Sequence, residues 1–232
     1  MTNFFGPGSP YLRHPLLTTN RSAREVDRVL SWCPTPPHDV VDLGCGFGRH
    51  CIEFARRGLA TTGVDPSITL LDEARQRAVT AELEIEFVES GGEAFVRPDS
   101  FDLAIAMFTT LGQVASADAD PQIAATLSNL HTSLRPGGTL VIEVPERDRA
   151  VANLVEYEQL GPTEVTRSFD PETRVLSERF ETPTGTYDLA YVLLSKEELT
   201  AELQTAGFVV EAVHDEAVSP PPDTFMTIVA RA

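Results

Sequence analysis

The sequence predicts an α/β fold: a doubly wound, mostly parallel sheet carrying an inserted antiparallel meander. Three observations lead there. From Val40 onward, short apolar runs alternate with amphipathic stretches, the pattern of strands joined by crossover helices. The first run ends in Gly44-Cys45-Gly46-Phe47-Gly48, a glycine-rich turn between a strand and a helix. After Pro145 the texture changes to alternating segments separated by tight turns, as antiparallel strands require.

The elements follow in order. Residues 40–43 read as a buried strand and 48–57 as a helix, with Ile52, Phe54 and Ala55 inward and Gly58 as its stop. Residues 60–64 form the second strand, and Ser67 N-caps a helix over 68–79. Residues 84–88 and 101–108 are the third and fourth strands. A helix over 121–134 and the turn Arg135-Pro136-Gly137-Gly138 lead into a fifth strand at 139–144. Residues 150–160 read as a short helix, and 164–169, 174–181 and 187–194 as the three strands of the meander. Ser195 caps a helix over 196–206, closed by Gly207. Residues 208–214 and 225–230 then complete a seven-stranded sheet as an antiparallel edge pair. Four regions result: an N-terminal lid or helical segment (1–39), a core (40–149), the inserted helix and meander (150–194), and a C-terminal helix with two strands (195–232).

Composition narrows the function. Of 232 residues, 42% are hydrophobic and 23% charged, enough to bury a core and too apolar for a mainly disordered chain. No apolar run reaches the roughly 18 residues of a membrane helix. Residues 1–10 lack the basic start and apolar stretch of a secretory signal, so a cytoplasmic location is expected. Lys and Arg total 18 against 35 Asp and Glu, a net charge of −17 that repels nucleic acid and anionic membranes alike. Lys196 is the only lysine, which argues against Schiff-base chemistry. Cys33, Cys45 and Cys51 are odd in number and form no CxxC pair, so they read as reduced thiols. Cys45, His50 and Cys51 fit no common zinc spacing, and no metal-ligand set is assigned.

The segment Val41-Asp42-Leu43-Gly44-Cys45-Gly46-Phe47-Gly48 is the centre of the chemistry. A dinucleotide site wants a third glycine three positions after the second. Here that position is Arg49, and Gly48 comes one residue early, which argues against a nicotinamide-dependent oxidoreductase. Asp65 ends the second strand, where a carboxylate accepts two hydrogen bonds from ribose hydroxyls. Gly92-Glu93-Ala94, Phe101-Asp102-Leu103 and Leu134-Arg135-Pro136-Gly137-Gly138 follow in order. Together these motifs resemble the class I S-adenosylmethionine-dependent methyltransferases over residues 40–144, with the C-terminal strands matching in outline. The flanking segments Arg21-Ser22-Ala23-Arg24-Glu25-Val26, Gly48-Arg49-His50 and Phe108-Thr109-Thr110-Leu111-Gly112 resemble the small-molecule and sugar methyltransferases in particular.

The resemblance implies a Rossmann-like methyltransferase fold, an S-adenosylmethionine cofactor and roles for named residues. Asp42 would anchor the glycine loop near the cofactor's amino group, with Gly44, Cys45 and Gly46 meeting the methionine part through main chain. Asp65 would hold the ribose diol, and Pro66 and Ser67 would shape the adenine side. Glu93, with the Ala94 amide, would read the adenine edge, although an aspartate is more usual at that place. Met107 and Phe108 would border the sulfonium and the acceptor. Tyr11 and Arg21 would contribute from the N-terminal segment that folds over the cofactor in this family. The meander implies a substrate lid or the contact surface of a homodimer.

Methyl transfer is an in-line displacement in which the cofactor supplies the reactive carbon and the protein aligns the acceptor. A hydroxyl acceptor wants a base or a metal as its bond forms. The candidates for that base are His50, His14, Glu143 and Tyr191, with Thr109 and Thr110 as hydrogen-bonding groups. The Asn/Asp-Pro-Pro-Tyr signature of nucleobase amine methylation is absent, since Met107-Phe108-Thr109-Thr110 stands after the fourth strand. A catechol-type Mg2+ cluster would want an aspartate there. An arrangement of Mg2+ on Glu143 with Asp118 or Asp120 stays open. The favoured reading is O-methylation of a sugar or another small-molecule acceptor. N-methylation of an amino sugar is the alternative, and a non-catalytic cofactor-binding or partner subunit is a reading of another class. The intact Asp42, Gly44, Gly46 and Asp65 argue against the last.

Overall fold

A computed structural model of the chain describes residues 4–6, 11, 17–113, 119–218 and 223–232. Its first half runs α1 (Thr19–Ser31), β1 (Asp39–Leu43), α2 (Arg49–Arg56), β2 (Ala60–Asp65), α3 (Ile68–Thr80) and β3 (Glu86–Glu89). β4 (Phe101–Ala106), α4 (Ala119–Ser133), β5 (Leu134–Pro145) and α5 (Arg147–Ala152) follow. β6 (Tyr157–Leu160), β7 (Thr163–Asp170), β8 (Val175–Thr182) and β9 (Gly185–Val192) then precede α6 (Lys196–Thr205), β10 (Val209–His214) and β11 (Phe225–Arg231).

The main sheet has seven strands in the order β10-β11-β5-β4-β1-β2-β3. β1 to β5 are parallel, with helices in all of their connections except the loop from β3 to β4, whereas β11 runs antiparallel to both β5 and β10. Each central strand is apolar on both faces and is covered on both. On one face α1 and α2 bring Val26, Val29 and Phe54 onto Val40, Leu103, Ile105 and Val141. On the other, α4 and α6 bring Ile123, Leu127, Leu199 and Leu203 onto Val41, Ala104, Leu140 and Ile142. Ser67 caps α3 through Leu70 N–H, and Ser195 forms a reciprocal capping box with Glu198 on α6. Among the described residues no helix is long and apolar enough to cross a membrane.

Two expectations change. The helix read over 150–160 is only the short α5, and the remainder becomes β6, which pairs with β7 and makes the second sheet four-stranded. The aromatic and apolar Tyr157 and Leu160 suit a pleated strand better than a helix. Arg135-Pro136-Gly137-Gly138 is part of the extended β5. Gly137 N–H donates to the Ala232 carbonyl, and Ala232 N–H to that of Gly138. The C-terminal strands form the expected antiparallel pair at one edge of the sheet, with β10 outermost and β11 between it and β5.

The second sheet (β6-β7-β8-β9) packs Leu176, Tyr191 and Leu193 with Ala150 and Leu154. Arg174 ties it to the core through ion pairs with Asp120 on α4 and Glu198 on α6. The turn Thr110–Gly112 after β4 meets it so closely that a Cβ on Gly112 would lie 2.6 Å from the Val192 carbonyl oxygen. Only glycine permits that approach. Gly112→Ala is therefore expected to cost about 1–3 kcal/mol of stability through overpacking, read as a lower midpoint in thermal denaturation. An unchanged midpoint would mean that the second sheet is not seated on this turn.

Candidate active site

β1 pairs with β2 on one side and β4 on the other, so a crevice opens beyond their carboxyl ends, where ligands bind in sheets of this kind. The loop leaving β1 makes its floor. Gly44, Gly46 and Gly48 all adopt left-handed backbone angles, with φ of +67°, +54° and +76°. Gly44 and Cys45 N–H groups both donate to the Val64 carbonyl, at 2.7 and 3.0 Å, which locks the loop onto the end of β2. A Cβ on Gly44 would overlap the Thr110 side chain, and one on Gly46 would come within 3.0 Å of the Tyr11 hydroxyl. The crevice encloses about 270 Å³.

Asp65 stands at its centre. One carboxylate oxygen accepts Gly46 N–H and the other Ser67 N–H, each at 2.8 Å. Burial raises its pKa, against those two bonds. Each oxygen keeps a further lone pair, the capacity a ribose diol needs. Pro66 and Ser67 continue the wall, and Ser67 Oγ donates to the Phe5 carbonyl at 3.1 Å. Gly91, Gly92 and Glu93 face them, held from α4 by Asn129, whose amide donates to the Gly92 and Glu93 carbonyls. Glu93 lines the crevice. Ala94 is exposed, does not line it, and gives its N–H to the Gly91 carbonyl at 3.2 Å instead of presenting it to a ligand.

Met107 and Phe108 border the crevice at the end of β4. Phe108 and Thr109 both take positive φ, +56° and +76°, a conformation that a β-branched residue avoids. Thr109 N–H on the Glu143 carbonyl (3.1 Å) and Thr110 Oγ1 on the Met107 carbonyl (2.9 Å) impose the reversal. It turns Phe108 toward the crevice, where its ring stacks on Phe225 at 5.7 Å. Phe5 and Tyr11 close the opposite side, their rings 5.1 Å apart, and Phe4 packs on Phe180 of the second sheet at 4.8 Å.

Behind the glycine loop lies a buried ionic cluster. Glu25 on α1 is fully buried and accepts bonds from Arg21 Nε (2.7 Å), Arg49 Nη1 and His50 Nε2 (2.8 Å). Burial alone would raise the Glu25 carboxyl, but hydrogen bonds and charge from His50 and Arg49 hold it down at about 2. Desolvation, with the Arg49 charge, pushes His50 down to about 4 despite its bond to Glu25. Burial lifts Asp42 to about 7, against the Cys51 thiol that donates to it at 3.3 Å. Glu143 on β5 is likewise lifted to about 7 by burial and the neighbouring Glu25 charge. Its Oε2 accepts Val218 N–H at 2.6 Å, while its buried Oε1 has no partner among the described residues.

Of the residues singled out in the sequence, Tyr11, Gly44, Asp65, Pro66, Glu93, Met107 and Phe108 line the crevice. Gly46 adjoins it beneath Tyr11. Asp42, Arg21 and His50 sit one layer deeper, and the Cys45 side chain packs with Cys51 and Leu71. His50 is thus locked away from the crevice by Glu25. Tyr191 belongs to the core of the second sheet, where its hydroxyl donates to Glu178 at 3.4 Å. His14 and Asp118 lie outside the described residues. Sequence reasoning missed Gln113, Gln122 and Thr126, which also line the crevice and carry no distinguishing motif. It missed Glu25 as well, although Arg21 and Glu25 stand at the i,i+4 spacing of a helical ion pair. Of the donors proposed for Mg2+, Asp118 is outside the described residues and Glu143 and Asp120 are engaged elsewhere. Asp120 pairs with Arg174, and among the described residues no three His, Cys, Asp or Glu side chains are placed to hold a metal.

Residues 40–138 match the family described as a methyltransferase domain. The ubiquinone biosynthesis O-methyltransferase of Rhodopseudomonas palustris is 29% identical over 109 residues, 47% of this chain and 40% of that protein. The chain thus spans about two fifths of the length of the curated relatives it matches. Two solved structures superpose over nearly the whole chain. An S-adenosylmethionine-dependent methyltransferase from Clostridium acetobutylicum has a TM-score of 0.79 at 13% identity, covering 96% of this chain and 94% of that one. A sugar N-methyltransferase from Streptoalloteichus sp. has a TM-score of 0.69 at 17% identity, covering 96% and 92%. Residues 40–138 are thus similar to a methyltransferase domain, and the chain has the Rossmann-like fold of these solved methyltransferase structures.

Two outcomes follow from this geometry. Asp65→Ala should weaken S-adenosylhomocysteine binding about 10- to 100-fold, the worth of lost hydrogen bonds to a charged acceptor, measured by calorimetry. Equal affinity would remove Asp65 from the ribose site. Stability should also carry the signature of the cluster. The raised Glu143 and Asp42 contribute fully below the ordinary carboxylate range, and that contribution is lost as pH rises through about 7. The depressed His50 and Glu25 act the other way. Their contributions are lost as pH falls, His50's from 6.5 to about 4 and Glu25's from 4.5 to about 2. Glu143→Gln should therefore flatten the decline of the melting temperature between about pH 5 and 8. An identical decline in the variant would place Glu143 outside the titrating set.

Proposed function

We propose that this chain methylates a hydroxyl of a small, sugar-like acceptor from S-adenosylmethionine, with Glu143 as general base. The observation that carries the reading is Glu143 itself: a buried carboxylate at the carboxyl end of β5, joined through main chain to the Phe108–Thr109 reversal, with Oε1 unpartnered among the described residues. A carboxylate lifted to about 7 can exchange a proton near neutral pH, and Glu143, although fully buried behind the residues that line the crevice, adjoins the turn that borders it. His50 is a weaker candidate, since it is held neutral and spent on Glu25.

The bound cofactor supplies an electrophilic methyl carbon on a sulfonium. The glycine loop and Asp65 hold the cofactor, Met107 and Phe108 fix the line of attack, and Phe5 with Tyr11 exclude water from one side. Glu143 Oε1 accepts the acceptor's hydroxyl proton as the carbon–oxygen bond forms. The Rhodopseudomonas relative, named as an O-methyltransferase, supports oxygen, and the Streptoalloteichus protein, named as a sugar N-methyltransferase, supports nitrogen on a sugar. An unprotonated amine needs no base, which separates the two readings.

The test is methyl transfer from radiolabelled S-adenosylmethionine to a panel of monosaccharides, nucleotide-linked sugars and amino sugars, with products located by mass spectrometry. Glu143→Gln should lower kcat about 10²- to 10⁴-fold on a hydroxyl acceptor, with S-adenosylhomocysteine affinity unchanged. Wild-type turnover in that variant on an amine would favour N-methylation, and cofactor binding without transfer to any acceptor would favour a non-catalytic role.

Two further parts belong to this reading. The chain acts in the cytoplasm, where its three free thiols suit a reducing compartment. It pairs as a homodimer through β6, an outer strand of the second sheet whose Tyr157 and Leu160 are 56% and 49% exposed. Sedimentation should show a dimer that Leu160→Glu splits. A monomeric wild type would sink this part alone.

A further inference from the structure

Arg149, on α5, reaches away from its own helix to a loop far along the chain. Nη1 donates to the main-chain carbonyls of Asp215 (2.6 Å) and Asp223 (3.3 Å), and Nη2 to that of Phe225 (2.9 Å). A guanidinium reaches these three carbonyls from two nitrogens held in one plane, whereas a lysine would offer its donors from a single atom. The three acceptors flank the connection between β10 and β11. That connection carries Val218, whose N–H donates to Glu143 Oε2, and it ends at Phe225, whose ring stacks on Phe108. Glu146 keeps the guanidinium in place, with Oε2 3.7 Å from Nε while it accepts Arg149 N–H at the start of α5.

We infer that Arg149 is a positioning residue for methyl transfer: by clamping the β10–β11 connection it holds the Val218 N–H on Glu143 and the Phe225 ring against Phe108. The inference rests on the reading of Glu143 as base, but its consequence is measurable without an acceptor. Three groups besides Val218 act on the Glu143 carboxyl, namely Glu25 and Arg21 from α1 and Arg49 from α2. None of them touches the clamp. The main-chain N–H favours the ionised carboxylate, so releasing it raises the pKa of Glu143 while those three charges stay in place.

The experiment is carboxyl 13C NMR of the full chain labelled at glutamate Cδ, titrated from pH 5 to 9, with Glu143→Gln identifying the resonance. Arg149→Gln should move the Glu143 midpoint upward by about half a unit or more, with S-adenosylhomocysteine affinity within about twofold of wild type. Arg149→Lys should fall between the two. Val218→Pro, which deletes the N–H directly, should reproduce the shift and serves if Arg149→Gln fails to fold. A lower melting temperature with an unmoved Glu143 midpoint would make Arg149 a purely structural residue and overturn the inference. Loss of turnover in Glu143→Gln bears on the base, and the NMR midpoint bears on the clamp, so the two can fail separately.

Discussion

The Asp65 carboxylate is the point on which the site depends. One oxygen fixes Gly46 in the loop that leaves β1, and the other fixes Ser67 at the entry to α3. Two segments that belong to different crossover units are thereby joined by one buried side chain at the mouth of the crevice. The left-handed glycines let the loop bend that tightly, and the Val64 carbonyl secures its other end. Without the carboxylate, the Gly46 and Ser67 N–H groups would be left in a largely dry pocket with no acceptor, a costly state for any backbone donor.

A second constraint works from below. α1 is attached through charge as well as apolar packing, with Glu25 collecting two arginines and a histidine at full burial. Removing one partner of such a cluster is far more disruptive than the net worth of the cluster suggests, because the remaining charges stay desolvated. The N-terminal helix is thus oriented specifically with respect to the glycine loop. His50 and Arg49, at the start of α2, transmit that orientation to the floor of the crevice.

Much of this was legible in the sequence, and the reason is locality. The strand–glycine–helix passage, Asp65 and the Ser67 cap are short-range patterns, and the structure places them as read. His50 and Tyr191 show the limit. Their partners, Glu25 and Glu178, lie on other elements, and strand or helix periodicity does not say which side of an element faces a crevice. The segment 150–160 was misread because its few residues carry neither a clear 3.6-residue nor a clear two-residue repeat, and pairing with β7 decided it. Ala94 was misplaced for a subtler reason: its N–H closes a turn on Gly91, a competition that the motif does not reveal.

The position of β11 has a consequence for how the chain is made. β5 is complete at Pro145, yet its outer neighbour in the sheet is not synthesised until residues 225–231. Throughout the synthesis of residues 146–224, β5 presents a long apolar strand with one row of backbone donors and acceptors unpaired. Such an edge templates association with other chains. The second sheet is translated during that interval, so the order of the gene leaves the nascent core open while an independent sheet forms beside it. Folding of the main sheet is thereby a late, non-local event, and the ribosome-bound chain depends on shelter of that edge until β11 arrives.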